Sequence, residues 1–224
     1  DAALATVRWV AELPTPKLEM DFEFVSLSHP DEYPFNEGRL VSNKGLDIAL
    51  SEFNEVFEEE HVARSNALHS RIRARGAYHV GPLARYSLNF DKLRPMAKSA
   101  ALEAGLGPVC ANPFQSIVVR SVEILHACEE ALAIIDDYEP PAESFVPVTA
   151  RAGEGHGASE APRGTLYHRY ELDEDGRILD AQIVPPTAQN QLTIESDLRA
   201  VLEENLDLAD ADLSWRLEQT IRNY

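Results

Sequence analysis

One long apolar stretch constrains the fold of this chain more than any other feature. Between Pro113 and Asp137, apolar residues recur at helical spacing and form a broad face, made of Ile117, Val118, Val122, Ile124, Leu125, Ala131, Leu132 and Ile135. A helix with so wide an apolar face needs other elements to cover it. The sequence therefore predicts a long, central, buried helix from about residue 113 to residue 137.

Proline and glycine divide the rest of the chain into shorter segments. We expect a helix from Ala2 to Glu12, a strand from Leu18 to Leu27, a loop from His29 to Gly45, one or two helices from Ile48 to Arg75, and a helix closed by Gly105 and Gly107. RAGEGHGASEAPRG is typical of a glycine-rich loop, and TLYHRYEL and RILDAQIV flank an Asp-Gly turn. These two segments and the turn between them predict a β-hairpin from about 165 to 184. Two further helices are predicted over 192–204 and 212–223.

Together these segments predict an α+β chain that is mostly helical. We expect a single domain over residues 1–224. Its parts are a strand and loop region at 18–45, a helical region at 48–137, a glycine-rich loop and β-hairpin at 149–190, and C-terminal helices at 191–224.

The charge of the chain excludes some classes of partner. The 20 Lys and Arg residues against 38 Asp and Glu residues leave a net charge of −18. This argues against nucleic acid and against anionic lipid, which both need clustered cations. No apolar run approaches the ~20 residues that span a bilayer, and the first residues lack the pattern of a secretory signal. We expect a cytoplasmic protein whose partners are proteins or small molecules.

Two Glu-x-x-His pairs raise the possibility of a di-iron site. Glu58 with His61 and Glu123 with His126 would each share one face of a helix, as in ferritin-like bundles. The alternative is that Glu58 belongs to a solvated charge run and that both pairs are structural. We favour this alternative, because no bridging glutamates are evident on two further long helices.

The two cysteines are too few for a disulfide framework or an all-cysteine metal site. Cys128 lies on the long predicted helix, where a lone cysteine is usually an apolar filler. Cys110 precedes a helix start, which could activate its thiol. Because no base is evident near Cys110, we predict a packing role for both residues.

Glu160-Ala161-Pro162-Arg163-Gly164 is the strongest candidate for chemistry. Proline fixes its own φ before the arginine, and glycine follows where the chain must turn. An arginine held in this way can donate several hydrogen bonds to an anionic ligand. An exposed turn arginine is the alternative, and these five residues alone do not decide between the two.

The wider sequence resembles the large subunit of nickel-iron hydrogenases, closest to the cytoplasmic, bidirectional branch. The stretch EAPRGTLYHRYELDEDGRILDAQIVPPTAQN is similar to the segment that precedes the C-terminal cysteine motif of that family. GPLAR at 81–85 and CANPFQSIVVRSVE at 110–123 are similar to it as well. The resemblance covers about residues 40–224. It implies reversible oxidation of dihydrogen at a nickel-iron centre whose iron carries carbon monoxide and cyanide.

The resemblance also implies roles for single residues. Arg163 matches the arginine that overhangs the metal centre as a candidate base, and Thr187 matches the hydroxyl residue that bonds an iron cyanide. The carbonyl oxygen of Ile183 matches a magnesium ligand. Four more residues match the surroundings of the centre, namely Glu160, Pro162, His168 and Pro186. The implied partners are an iron-sulfur small subunit and an electron-transfer module linked to NAD(P) or a deazaflavin.

The departures from the family concern the metal ligands. The family binds nickel and iron through two pairs of cysteines, RxCGxC and DPCxxC, and neither occurs in this sequence. Because the chain begins at Asp1 without Met and ends at Tyr224, where DPCxxC would follow, we expect a truncated fragment that binds no nickel alone. The alternative is a cysteine-free relative, the quinone-site subunit of respiratory complex I. Thr165 replaces an acidic residue typical of that relative, which favours the hydrogenase.

Overall fold

A computed structural model describes residues 1–224 and contains seven α-helices and eight strands. The helices are α1 (Ala2–Ala11), α2 (Phe53–Val56), α3 (Pro82–Asn89), α4 (Pro95–Glu103), α5 (Ser116–Asp136), α6 (Pro186–Glu204) and α7 (Asp210–Ile221). The strands are β1 (Val25–Ser28), β2 (Arg39–Ser42), β3 (Asp47–Ile48), β4 (Phe57–His61), β5 (Leu68–Ile72), β6 (Gly153–Ala161), β7 (Gly164–Leu172) and β8 (Ile178–Val184). The α+β class is confirmed, and none of the helices is long and apolar enough to cross a membrane.

A helical core forms around the first half of α5. Val118, Val119, Val122 and Leu125 are buried there against apolar residues of α1, α3 and α4. Burial of this face is the main stabilising contribution of such a helix. The predicted helix is confirmed, but its burial is not uniform. Leu132 and Ile135, in the last turns of α5, are 63% and 69% exposed.

A second core lies between three antiparallel sheets, with strand orders β1-β2-β3, β4-β5 and β6-β7-β8. Its centre is aromatic, since Tyr167 of β7 stacks on Phe53 with ring centroids 3.9 Å apart. Phe57 of β4 also stacks on Phe53, with ring centroids 4.6 Å apart. The predicted β-hairpin is confirmed as β7 and β8, joined through Asp173 and Gly176.

Two segments fold differently from the expectation. The predicted helices over Ile48–Arg75 are wrong, because this segment contains only two short helical turns, the 3-10 turn Leu50–Glu52 and α2, before the hairpin β4-β5, in which Glu58 pairs opposite Arg71. The glycine-rich stretch from 153 to 161 is a strand rather than a loop, paired along its whole length with β7. The backbone hydrogen bonds of β7 supply the order that glycines do not favour on their own.

Smaller differences occur near the N-terminus. The strand expected over Leu18–Leu27 is confined to Val25–Ser28, and the loop expected over His29–Gly45 contains β2. β1 and β2 pair in register from Val25 with Ser42 to Ser28 with Arg39. The predicted helix at the N-terminus, the glycine-closed α4 and the last helix are confirmed within a few residues, whereas α6 begins at Pro186, six residues before its predicted start.

Candidate functional site

The motif Glu160–Gly164 forms the tight turn between β6 and β7. Ala161 pairs with Gly164, so that Pro162 and Arg163 are the two residues of the turn. Arg163 is exposed and takes part in no hydrogen bond or ion pair. The turn therefore presents a free guanidinium at the surface of this chain.

The turn is pressed against the segment that begins α3. Gly81 has a φ of 123°, and a Cβ atom there would lie 2.7 Å from the carbonyl oxygen of Arg163. Gly164 has a φ of 141°, and a Cβ atom there would lie 2.6 Å from Val80 Cγ2. Both the backbone conformation and the close approach require glycine at these two positions. This contact fixes the height of the turn above α3.

Arg85, on α3, holds the turn from below. Its Nη1 donates to the carbonyl oxygen of Ala161 at 2.7 Å, and its Nη2 donates to that of Pro162 at 3.2 Å. The remaining donors bind two carboxylates. Nε and Nη2 reach Glu123 of α5 at 2.8 and 2.9 Å, and Nη1 reaches Glu160 at 3.1 Å. All the donors of this buried guanidinium are thus satisfied, as its desolvation requires.

Glu160 links the turn to the first sheet. One of its carboxylate oxygens accepts hydrogen bonds from the Leu27 amide at 2.8 Å and the Thr165 hydroxyl at 2.7 Å. Burial raises the pKa of Glu160, while Arg85 opposes this rise. Burial alone would lower the pKa of Arg85, but the Glu123 and Glu160 carboxylates raise it. Arg85 is therefore a permanent cation between the buried carboxylate of Glu160 and the partly buried carboxylate of Glu123.

A cavity of about 290 Å³ opens beside the turn, between Arg163, the start of α6 and the end of the chain. It is lined by Arg163, Thr187, Asn190, Ile194 and Tyr224, among others. Pro186 begins α6 and is buried beside Thr187. The structure thus brings together Arg163 and Thr187, which are 24 residues apart in sequence, on one cavity. Pro162 lies at the edge of a narrower cleft that continues from it.

Two candidate residues lie away from this cavity. His168, on β7, bonds through Nδ1 to the Tyr170 hydroxyl at 3.1 Å and pairs with Ile183 of β8. The side chain of Ile183 is 51% exposed. Neither residue lines the Arg163 cavity. Their roles near a metal stay predictions.

The di-iron hypothesis is contradicted by the structure. Glu58 and His61 lie on strand β4, where Glu58 binds Arg71 and Arg73 at 2.7 and 2.5 Å. Glu123 is bound by Arg85, and no group of three or more His, Cys, Asp or Glu side chains could hold a metal ion. The helical interpretation of Glu58 and His61 is wrong, because residues three apart on a strand point to opposite faces of the sheet and cannot share a ligand.

The two cysteines differ in their environments. Cys110 is buried, and burial raises the pKa of its thiol. Its packing role is confirmed. Cys128 is exposed on α5, so the prediction that it fills a core position is wrong. Cys128 lies on the solvent-exposed side of α5 beside Ala127, eight residues before the last residue of the helix.

Comparisons with known proteins identify relatives of this chain. No family model matches the chain. It is 33% identical over 163 residues to the NAD-reducing hydrogenase HoxS subunit beta of Cupriavidus necator. The aligned region covers 70% of this chain and 33% of that protein. It is 27% identical over 197 residues to the sulfhydrogenase 1 subunit alpha of Pyrococcus furiosus, covering 87% of this chain and 45% of that one. The chain thus spans less than half the length of these relatives.

The fold has a close counterpart among solved structures. A crystal structure of an NAD+-reducing [NiFe]-hydrogenase in the H2-reduced state matches 99% of this chain with a TM-score of 0.84, at 23% identity, over 54% of that chain. The residues of the present chain do not fit a nickel-iron centre, which needs soft thiolate ligands. Its two cysteines line neither the Arg163 cavity nor the cleft beside it.

Proposed function

This chain is homologous to part of the large subunit of nickel-iron hydrogenases, and from that premise we propose that its parent protein reversibly oxidises dihydrogen to protons and electrons. The observation that carries the proposal is the convergence of Arg163 and Thr187 on one cavity beside a rigidly held turn. The thiolate ligands would have to come from polypeptide outside these 224 residues. No step at the metal is therefore assigned to this chain.

The role of this chain is to form one wall of the site. Arg85 donates hydrogen bonds to the carbonyls of Ala161 and Pro162, so the Arg163 guanidinium projects from a backbone that is held on both preceding residues. In a closed site the Arg163 guanidinium would donate hydrogen bonds as a planar fork, and its neutral guanidine form would be the candidate base that accepts a proton. The hydroxyl of Thr187, in the first turn of α6, would donate a hydrogen bond. Binding of magnesium by the Ile183 carbonyl is a further part of this proposal.

The similarity to a NAD-reducing hydrogenase supports an assembly with other subunits. We place the electron carriers in an iron-sulfur small subunit, because two cysteines cannot ligate a cluster of their own. A module linked to NAD(P) or a deazaflavin would then receive the electrons. The proposed location is the cytoplasm.

The proposal is tested in the full-length enzyme by replacing Arg163 with Lys. A flexible ammonium cannot reproduce the planar fork, so hydrogen turnover should fall at least about 100-fold, equivalent to about 2.7 kcal/mol. Nickel content should stay near that of the wild type, because Arg163 is not a ligand. Arg199→Lys, an exposed arginine of α6 outside the cavity, is the matched control. Unchanged turnover in Arg163→Lys would remove Arg163 from the mechanism.

A further inference from the structure

A buried histidine that the proposed function does not use connects α5 to the start of α4. His126, on α5, is completely buried. Its Nδ1 atom accepts a hydrogen bond at 3.1 Å from the backbone amide of Arg94, the residue that precedes α4. Because a ring nitrogen that accepts a hydrogen bond carries no proton, the proton of the neutral ring is on Nε2. This contact therefore fixes both the charge and the tautomer of His126.

Two aromatic side chains cover the ring of His126. They belong to residues 29–38, which join β1 to β2 without a helix or strand and which we call the covering segment. The ring centroid of Tyr33 lies 4.8 Å from that of His126. The ring of Phe35 stacks on His126 with centroids 5.8 Å apart and an interplanar angle of 20°. The burial of His126 therefore depends on the position of the covering segment.

The covering segment is also bonded to the residues that hold the Arg163 turn. The Tyr33 hydroxyl donates to Glu123 at 2.7 Å, and the Phe35 carbonyl accepts from the Glu160 amide at 2.6 Å. Glu123 and Glu160 are the two carboxylates that bind Arg85. A displacement of the covering segment would therefore reach both acidic partners of Arg85 and the end of β6.

The charged groups around His126 leave no acceptor for an imidazolium. The nearest carboxylate oxygen, Oε1 of Glu130, lies 3.9 Å from Nε2, which is too far for a hydrogen bond. Both Glu130 oxygens bind Arg94, at 2.6 and 2.9 Å, and Glu129 accepts from the first amides of α4. A second ring proton on Nδ1 would face the Arg94 amide, which is itself a donor. A protonated His126 would thus be a buried cation without a hydrogen-bond acceptor, which is costly.

The titration of His126 has a defined direction. Burial lowers the pKa of His126 below its ordinary value of 6.5; the charges of Glu130, Glu129 and Glu123 oppose this shift, and that of Arg94 adds to it. The unfolded or opened state therefore binds the proton more tightly than the closed state. The stabilising effect of the neutral ring is complete above pH 6.5 and is lost as the pH falls through the lower pKa of the closed state.

We propose that His126 is a pH-sensitive switch: the neutral ring keeps the covering segment closed over α5, and protonation opens the segment and releases the Glu160 amide. Opening lets both ring nitrogens donate to water, which the closed arrangement prevents. The segment that moves carries Tyr33 and Phe35, so the hydrogen bonds to Glu123 and Glu160 are lost together. The switch consists of contacts within this chain and involves no metal, so it stands or fails independently of the proposed function.

The first test is an NMR titration of the wild-type chain from pH 8 to pH 5, which needs no variant. The ring nitrogen resonances of His126 should show a proton on Nε2 and none on Nδ1 at pH 8. The ring should then take up its second proton with a midpoint below 6.5. A proton on Nδ1 at pH 8, or a midpoint at or above 6.5, would overturn the proposal.

Amide hydrogen exchange tests whether protonation opens the segment. Between pH 7.5 and pH 5, the protection factor of the Glu160 amide should fall at least about threefold in the wild type. It should not fall in His126→Gln, because glutamine can accept from the Arg94 amide but does not titrate. His61→Gln, at an exposed position at the end of β4, is the matched control and should keep the wild-type dependence. The same fall in His126→Gln as in the wild type would remove His126 from the switch.

A second amide separates local opening from general loss of structure. The Ile72 amide donates to the Gly76 carbonyl at 2.9 Å, in the β5 region away from the covering segment. Its protection factor should stay constant over the same pH range. Because burial raises the pKa of Glu160, protonation of that carboxylate favours the closed state and cannot cause the fall. Equal falls at Ile72 and Glu160 in the wild type would overturn the switch, whether or not His126→Gln folds.

Discussion

At the scale of single residues, Arg85 organises the site more than any residue of the Glu160–Gly164 motif. Its guanidinium joins α3 to α5, to strand β6 and to two carbonyls of the turn. In the sequence, Arg85 is marked only as the last residue of GPLAR, the segment at 81–85 that resembles the hydrogenase family. Its partners Glu123 and Glu160 are 38 and 75 residues away along the chain, and no local pattern reports contacts of that range.

Removal of the Arg85 charge should therefore be costly. Arg85→Leu leaves Glu123 and Glu160 buried without a counterion, and the free energy of unfolding should fall by about 3–5 kcal/mol. Arg64→Leu, which breaks the exposed pair with Glu195, should cost less than about 1 kcal/mol. Urea unfolding of both variants gives the comparison. Equal losses would show that the Arg85 network does not hold the turn.

Asp197 should make stability depend on pH in a defined direction. Burial raises its pKa to about 6, although the Tyr224 hydroxyl opposes this shift. A raised pKa means that the folded state binds the proton more tightly. The stabilising effect is complete below the unfolded value of about 3.8 and is lost as the pH rises through about 6.

The measurement is the difference in unfolding free energy between the wild type and Asp197→Asn, from pH 3.5 to pH 8 by urea titration. The stability of the wild type relative to the variant should decline from about pH 4 to about pH 6 and then level off. Ionisable groups other than Asp197 contribute equally to both proteins and cancel in the difference. A rise in relative stability with pH would contradict the assignment.

At the scale of elements, the sequence predicted those whose pattern is long and periodic. The first half of α5 and the β7-β8 hairpin follow directly from apolar spacing and from the Asp-Gly turn. The hairpin β4-β5 was missed, because Phe57-Glu58-Glu59-Glu60-His61 carries few apolar residues and draws its order from Arg71 and Arg73 on and beyond the partner strand. Strand β6 was missed because its glycines have no side-chain pattern, and its order comes from pairing with β7.

The contact between the turn and α3 gives a prediction at this scale. Gly81→Ala places a Cβ atom 2.7 Å from the Arg163 carbonyl at a φ of 123°, and the strain should lower the unfolding free energy by about 1–3 kcal/mol. Gly155→Ala, in β6 with open space around its Cα, should change it by less than about 0.5 kcal/mol. Thermal unfolding of the two variants provides the measurement. A neutral Gly81→Ala would show that the turn is not seated on α3.

At the scale of the whole molecule, the chain has two cores and a site that lies where they meet. α3 and α5 belong to the helical core, whereas β7 belongs to the core between the sheets, and Arg85 connects the two through Glu160. Family resemblance predicted that Arg163 and Thr187 share a site, and the structure places them on one cavity. The ligands of a metal could not be predicted from this sequence, because their thiolates are not among its residues.

The central claim is that this chain forms one wall of a nickel-iron hydrogenase site completed by residues outside it. The most direct measurement is the sequence of the gene on both sides of the segment that encodes residues 1–224. We expect an open reading frame with RxCGxC upstream and DPCxxC immediately after Tyr224. Flanking sequence without either pair of cysteines would contradict it and would leave the Arg163 cavity without a nickel-iron centre.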